Sequence, residues 1–203
     1  IATDAAKIHL DGHHTTAIIT DIHPGTAASP NVTFGTSSQF TTLRITGGAG
    51  AVEVASAGIT TTQMLDAPRA VLSILSTASS VATILMDSGT ITTAESITTA
   101  DVSGGSLELT SAAGATTVNL TGSGTLRHNS TGTVTTLSVF DRACLATTAG
   151  NSTSTGAVFT TTNLFDGQID ERNGAATTTF SNGIVVNGAG TIRPDVSRTL
   201  AVT

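Results

Sequence analysis

The stretch ITTTQMLD (Ile59–Asp66) returns later in the chain as FTTTNLFD (Phe159–Asp166). Neither copy carries the residues of a catalyst: each is threonine, a few apolar side chains and one carboxylate. The recurrence therefore asks for a structural cause. Aligned on an apolar residue, a Thr pair and an apolar-x-apolar triplet, the same register runs through FTTLRITGGAGAVEVASAG from Phe40, ITTTQMLDAPRAVLSIL from Ile59 and VATILMDSGTITTAE from Val81. It continues through ITTADVSGGSLELTSAAG from Ile97, ATTVNLTGSGTLRHNSTG from Ala115 and VTTLSVFDRACLATTAG from Val134. FTTTNLFDGQIDERNG from Phe159 and ATTTFSNGIVVNGAGTIRP from Ala176 complete eight units, with starts 19, 22, 16, 18, 19, 25 and 17 residues apart.

Each unit holds two short strand-like pieces. The first has apolar residues three and five positions after its start, as at Leu43 and Ile45 or Val118 and Leu120. After a Gly- or Asp-containing turn, the second piece alternates, as in Val52-Glu53-Val54 and Leu107-Glu108-Leu109. Apolar residues inside and charges outside, with a period of two, describe half-buried strands. Such short strands bury a face only if successive units stack about 4.8 Å apart, so that equivalent residues form ladders. The reading is an all-β fold: a right-handed parallel β-helix, or solenoid, of about eight coils. A leucine-rich repeat would show an asparagine ladder and a helical segment. An antiparallel sandwich shares the turn spacing but gives no reason for one phrase to recur.

Residues 1–39 lack the register, and DIHPGTAASPNVTFG (Asp21–Gly35) holds two of the four prolines. They are expected to form an irregular N-terminal arm or cap that attaches the protein to its partner, with the solenoid domain occupying 40–203. Terminal coils need capping because a bare end exposes strand edges and the apolar layer. Two irregular intervals mark loops extruded from corners, at Asp66–Arg69 and at Asn151–Gly156. Loops on one face are where solenoids usually place specificity.

Composition narrows the function classes. Charged residues are 11% of the chain and the net charge is -6. Threonine is about a fifth of the chain, and Trp and Tyr are absent. Small and β-branched side chains suit thin strand layers. Phosphate binding relies on a basic stripe, and none is present, so no nucleic-acid partner is expected. The longest apolar run, AVLSILSTASSVATILM (Ala70–Met86), is broken by Ser and Thr and is not read as a membrane span. Cys144 is the only cysteine, which excludes an intrachain disulfide and reads as a small buried hydrophobe.

Two clusters could carry chemistry. Asp66, Asp141 and Asp166 sit seven residues after their unit starts, with Asp87 one residue earlier. A carboxylate row could hold Ca²⁺ or hydrolyse a glycan. The simpler reading has each Asp bonding its own backbone two residues on, as Asp does before a turn. Near the N-terminus, IHLDGHH places His9, Asp11, His13 and His14 together, with His23 downstream. Strand alternation would put His9, Asp11 and His13 on one side as a facial metal set. No other strong ligands accompany them, and neither a metal nor another cofactor is expected. No G-x-S-x-G elbow, P-loop, H-E-x-x-H or C-x-x-C motif is present, and GGAGAVE (Gly47–Glu53) lacks the third glycine of a dinucleotide loop. Without Trp or Tyr, sugar binding by stacking is disfavoured. The chain is expected not to be an enzyme.

TGSGT (Thr121–Thr125), HNSTGTVTTLSVF (His128–Phe140) and GAGTIRPD (Gly188–Asp195) belong to coils of the form G-T-x-T-T-L-x-V. In this, residues 40–203 resemble the β-helical structural proteins of tailed-bacteriophage virions. The resemblance implies a virion component, most simply a capsid decoration (cement) protein on the capsid surface that binds the major capsid protein and self-associates as a homotrimer. It transfers no site residues. The alternatives are a fibre or adhesin segment binding a host surface, and a polysaccharide-cleaving β-helix enzyme.

Overall fold

A computed structural model describes residues 8–20, 30–47, 50–55, 58–75, 80–148, 156–172, 178–194 and 201–202. Within them the chain alternates between two parallel sheets. The first contains β1 (Ile8–Leu10), β3 (Val32–Phe34), β5 (Ala51–Val54), β7 (Val71–Ile74), β9 (Thr90–Thr93), β11 (Ser106–Ser111), β13 (Thr125–Ser130), β15 (Leu145–Thr147), β17 (Gln168–Asp170) and β20 (Thr191–Arg193), in that order. The second stacks β2 (His13–Thr20), β4 (Gln39–Thr46), β6 (Gly58–Leu65), β8 (Ser80–Met86), β10 (Ser96–Val102), β12 (Ala115–Leu120), β14 (Thr133–Val139), β16 (Val158–Leu164), β18 (Thr179–Phe180) and β21 (Ala201–Val202), with β19 (Ile184–Val186) also on β16. Every strand therefore pairs with the strand one coil away, and no helix occurs among the described residues. This is a parallel β-solenoid. Parallel crossovers within one sheet are right-handed in nearly all cases. Ten strands per sheet at a spacing of roughly 4.8 Å make a rod about 43 Å long.

The ladders settle the register residue by residue. Phe40 pairs with Ile59, Val81 with Ile97, Ile97 with Ala115, Ala115 with Val134 and Val134 with Phe159. The last unit is shifted from the sequence alignment: Phe159 pairs with Phe180, not with Ala176. The cause lies in β18 and β19. Ser181–Gly183 place three residues opposite the two residues Thr160 and Thr161, a bulge that Gly183 turns with φ 77°. At the other end, the expected irregular arm falls partly on residues 1–7 and 21–29, outside the described residues, and its described part is regular. Ile8 pairs with Val32 and His14 with Phe40, so the described residues before position 40 form the first coil of the same stack. A polar imidazole where later units have Phe, Ile, Val or Ala hid this coil from the alignment. Residues 30–47 run on from β3 into β4 without a break at residue 39.

The Thr pairs now have a cause. In β10, Ile97, Ala100 and Val102 are buried, while Thr98 is exposed and Thr99 half-buried. Two consecutive residues thus face outward and the strand bends between them, so strict alternation fails once per coil. A position that must be extended, bent and hydrated suits a β-branched residue with a hydroxyl. The second of these positions forms an unbroken ladder: Thr16, Thr42, Thr61, Thr83, Thr99, Thr117, Thr136 and Thr161.

The core is one continuous cluster from Val32 to Phe180. A coil such as Ile97–Leu109 contributes Ile97, Val102, Leu107 and Leu109, each at most 2% exposed; full burial of a large aliphatic side chain stabilises by about 1.5–3 kcal/mol. Aromatic rings thicken the ends. Phe34 meets Phe40 edge-on at 4.6 Å, and Phe159 stacks on Phe180 at 5.3 Å. Corners pack backbone on backbone. Gly105 has φ 75°, and a Cβ there would lie 2.5 Å from the Gly89 carbonyl oxygen, so any larger residue is both strained and blocked.

Candidate functional site

The N-terminal cluster is partly assembled. His9 Nδ1 lies 2.9 Å from Thr33 Oγ1, and Nε2 lies 3.3 Å from an Asp11 carboxylate oxygen. The Ser37 hydroxyl donates to the other Asp11 oxygen at 2.9 Å. Gly35 makes the approach possible, because a Cβ there would collide with the Asp11 carboxylate. His13 does not join. The strand ends at Leu10, Gly12 turns the chain with φ 124°, and His13 opens β2 in the other sheet opposite Gln39. The alternation expected of a continuous strand from His9 to His13 is therefore broken. Among the described residues no group of three His, Cys, Asp or Glu is placed to hold a metal. His14 is placed only by its backbone pairing with Phe40, and His23 lies outside the described residues. The His9–Asp11 contact is more than half exposed, and such pairs contribute little in water.

The corner aspartates are structural, by a different route from the expected one. The Asp87, Asp141 and Asp166 carboxylates reach backbone N–H groups of other coils, although Asp87 also accepts the Ser88 hydroxyl at 2.7 Å. Asp87 accepts the Asp66 N–H at 2.7 Å and Asp141 accepts the Gly122 N–H at 2.6 Å, each from the preceding coil. Asp166 accepts the Ala189 N–H of the following coil at 2.9 Å. Each carboxylate thus staples one corner to the next and satisfies a backbone donor that the strand ladders leave over. Asp141 reaches back and Asp166 forward, so this neighbouring pair does not converge on one ligand. Asp66 itself sits at φ 52°, and its carbonyl accepts the Gly47 N–H at 2.9 Å.

The interior holds what the sequence reading passed over. His128 is fully buried, two residues beyond the inward Leu126, in a ladder position shared with Leu109. Its ring meets Phe159 edge-on at 5.1 Å, and Nδ1 lies 3.3 Å from the Ser130 hydroxyl. Burial lowers its pKa from 6.5 to about 4, against backbone hydrogen bonding at Val158 and Gly132 that favours the charged form. The period of two that placed Leu126 inside was the available signal. Thr62 and Thr162, the third threonines of the two opening phrases, are also inside. Their hydroxyls are buried and have no hydrogen-bond partner among the described residues. Cys144 is buried, as its reading as a small hydrophobe expected, and burial raises its thiol pKa.

On the outside, Phe140 and Phe165 stack at 4.9 Å with nearly parallel planes, and Phe140 is 40% exposed. Arg172 grips Asp170 through Nε and Nη2, at 2.9 and 2.6 Å, which holds the Asp170 carboxyl below its usual range. Of the loops singled out in the sequence, Asp66–Arg69 forms the β6–β7 corner, closed by an Ala70 N–H bond to the Ala67 carbonyl. Asn151–Thr155 lies outside the described residues. Two depressions, one beside His13 and Phe40 and one beside Gly114 and Gly132, both open widely to solvent. Among the described residues no helix is long and apolar enough to cross a membrane. Compared with protein-family models, curated proteins and solved structures, the chain matches none.

Proposed function

We propose that this chain is a non-enzymatic structural protein of a tailed-phage virion, which decorates and stabilises the capsid by binding the major capsid protein. The observation that carries the reading is the stack itself: ten strands in one sheet and eleven in the other, a hydrophobic core running from Val32 to Phe180 and outward threonine rows, with corner carboxylates bound to backbone N–H groups. A chain built this way offers an extended, rigid, chemically quiet side for contact. Binding only the assembled shell would stabilise it by mass action, as RT ln(1 + [L]/Kd). The homotrimer and the capsid-surface location follow from the likeness of its coils to phage structural proteins. The attachment role assigned to residues 1–39 then falls on the first coil, where Ile8, Leu10 and Ile18 are exposed.

The test is to mix the purified protein with undecorated shells and locate it by electron cryomicroscopy. Stoichiometric density on the shell surface supports the reading. Failure to co-sediment, or density on the tail, overturns it. Removing residues 1–39 is a poor probe because it strips β1, β2 and β3 and bares new edges. Ile18→Asp is better: Ile18 is 61% exposed, so the substitution should abolish shell binding while leaving the melting temperature within about 2 °C, the range of surface changes.

The exposed Phe140–Phe165 stack favours one second reading, a fibre or adhesin segment that meets a host surface. Labelled protein would then adhere to host cells, and Phe140→Ala would reduce adhesion without loss of fold. A glycan-cleaving enzyme is the remaining alternative. It would lose activity on Asp141→Asn or Asp166→Asn, although both carboxylates already hold backbone donors.

A further inference from the structure

The interior changes character along the rod. The inward ladder position that passes through Phe34, Val54, Ile74, Thr93 and Leu109 reaches His128. In the next coils Thr148 and then Glu171 follow, one residue after the paired Thr147 and Asp170, and all three side chains are buried. The Thr148 and Thr178 hydroxyls lie 3.3 Å apart, inside. His128 thus opens a run of three polar positions, where the five before it are apolar except Thr93. Leu109 flanks it on the N-terminal side, Phe159 covers its ring from β16, and Ser130 lies beside it on its own strand. Buried Glu95 lies two coils before it, two residues beyond Thr93, and half-buried Glu108 lies on the neighbouring strand β11. Glu171 stands in the same ladder position beyond Thr148, and Arg127, the charged neighbour on β13, points to solvent.

We propose that His128 is an acid-operated latch, whose protonation parts the coils from β15 onward from the stack formed by β2 to β12. Backbone hydrogen bonding at Val158 and Gly132 offsets the burial of an imidazolium here only in part, so the charged ring gains by reaching water, and the two sides of it differ in how readily water enters. Toward the N-terminus it meets Leu107 and Leu109, both fully buried. Toward the C-terminus it meets hydroxyls and a carboxyl side chain that tolerate water once β15 and β16 move away. The sign follows from the depressed folded pKa. The latch is fully closed above the ordinary histidine value of 6.5 and weakens as pH falls toward 4. Over that window the opening equilibrium rises up to about 300-fold, and by pH 4.5 about 80-fold.

Hydrogen exchange read by peptide mass, as protection factors corrected for intrinsic rates, tests this at pH 7.0 and 4.5. Peptides from β15, β16 and β17 should lose protection by nearly two orders of magnitude, while those from β4 to β10 keep theirs. His128→Leu, which copies Leu109, should keep all coils protected at pH 4.5. Uniform loss along the chain, or a C-terminal loss that persists in His128→Leu, overturns the latch. Should that variant not fold, the wild-type His128 ring resonance decides: a midpoint near pH 4 supports it, and one above 6 overturns it. None of these readouts depends on a virion role.

Discussion

Thr62 and Thr162 offer a sharp test of how the two opening phrases work. Both occupy the inward position held by Leu43 and Ile84 around the first, and by Leu137 and Ile184 around the second. Both are at most 1% exposed, and neither hydroxyl has a partner among the described residues. Leaving a buried hydroxyl unsatisfied costs about 1–3 kcal/mol. Valine has nearly the same shape without that cost, so Thr62→Val and Thr162→Val should each stabilise by about 1–2 kcal/mol. The two sites are five coils apart, about 24 Å by strand spacing, so their effects should add to about 2–4 kcal/mol. Denaturant unfolding followed by far-UV circular dichroism measures this, as a higher midpoint at an unchanged slope. Thr61→Val, half-buried on the outward ladder, is the control and should stay within about 0.5 kcal/mol. If the inward substitutions are neutral or destabilising, or no different from the outward one, the assignment of those hydroxyls as unsatisfied is wrong.

Three further outcomes follow from the corners and the surface. Asp141→Ala removes the acceptor of the Gly122 N–H and should lower stability by about 1–2 kcal/mol, with Asp141→Asn recovering part of it in thermal melts. Gly105→Ala drives a Cβ toward the Gly89 carbonyl at positive φ and should cost about 2 kcal/mol or more, visible as a lower denaturant midpoint. Phe140→Ala removes half of the exposed ring stack and should cost only about 1 kcal/mol, with the far-UV spectrum unchanged.

Much of the architecture was legible because stacking imposes the same demand on every coil. An apolar residue at the start, three on and five on is what a closed interior requires, and Leu43, Ile84, Val118 and Leu137 meet that demand openly. The register slipped where a local exception hid it. His14 stands at the start of the first coil, and the bulge at Ser181–Gly183 moves the last start from Ala176 to Phe180. The candidate sites were harder to read because they depend on direction as well as spacing. Spacing put Asp66, Asp141 and Asp166 at one corner but could not tell that the Asp141 and Asp166 carboxylates reach neighbouring coils. Alternation grouped His9, Asp11 and His13, but it could not foresee that the chain turns at Gly12. His128 was overlooked for a related reason: a histidine among polar neighbours reads as surface until its ladder partner, Leu109, is known.

The ladders also determine how the rod carries load. All backbone bonds between coils run along its axis, so tension on the two ends meets the coil junctions in series and the weakest one yields first. The shortest junctions lie in the C-terminal half, such as the two-residue pairing of β18 with β21, and they set that limit. A sideways push is shared at once by ten strands in one sheet and eleven in the other. Such a rod is stiff against bending and peels from an end, one coil at a time, when pulled.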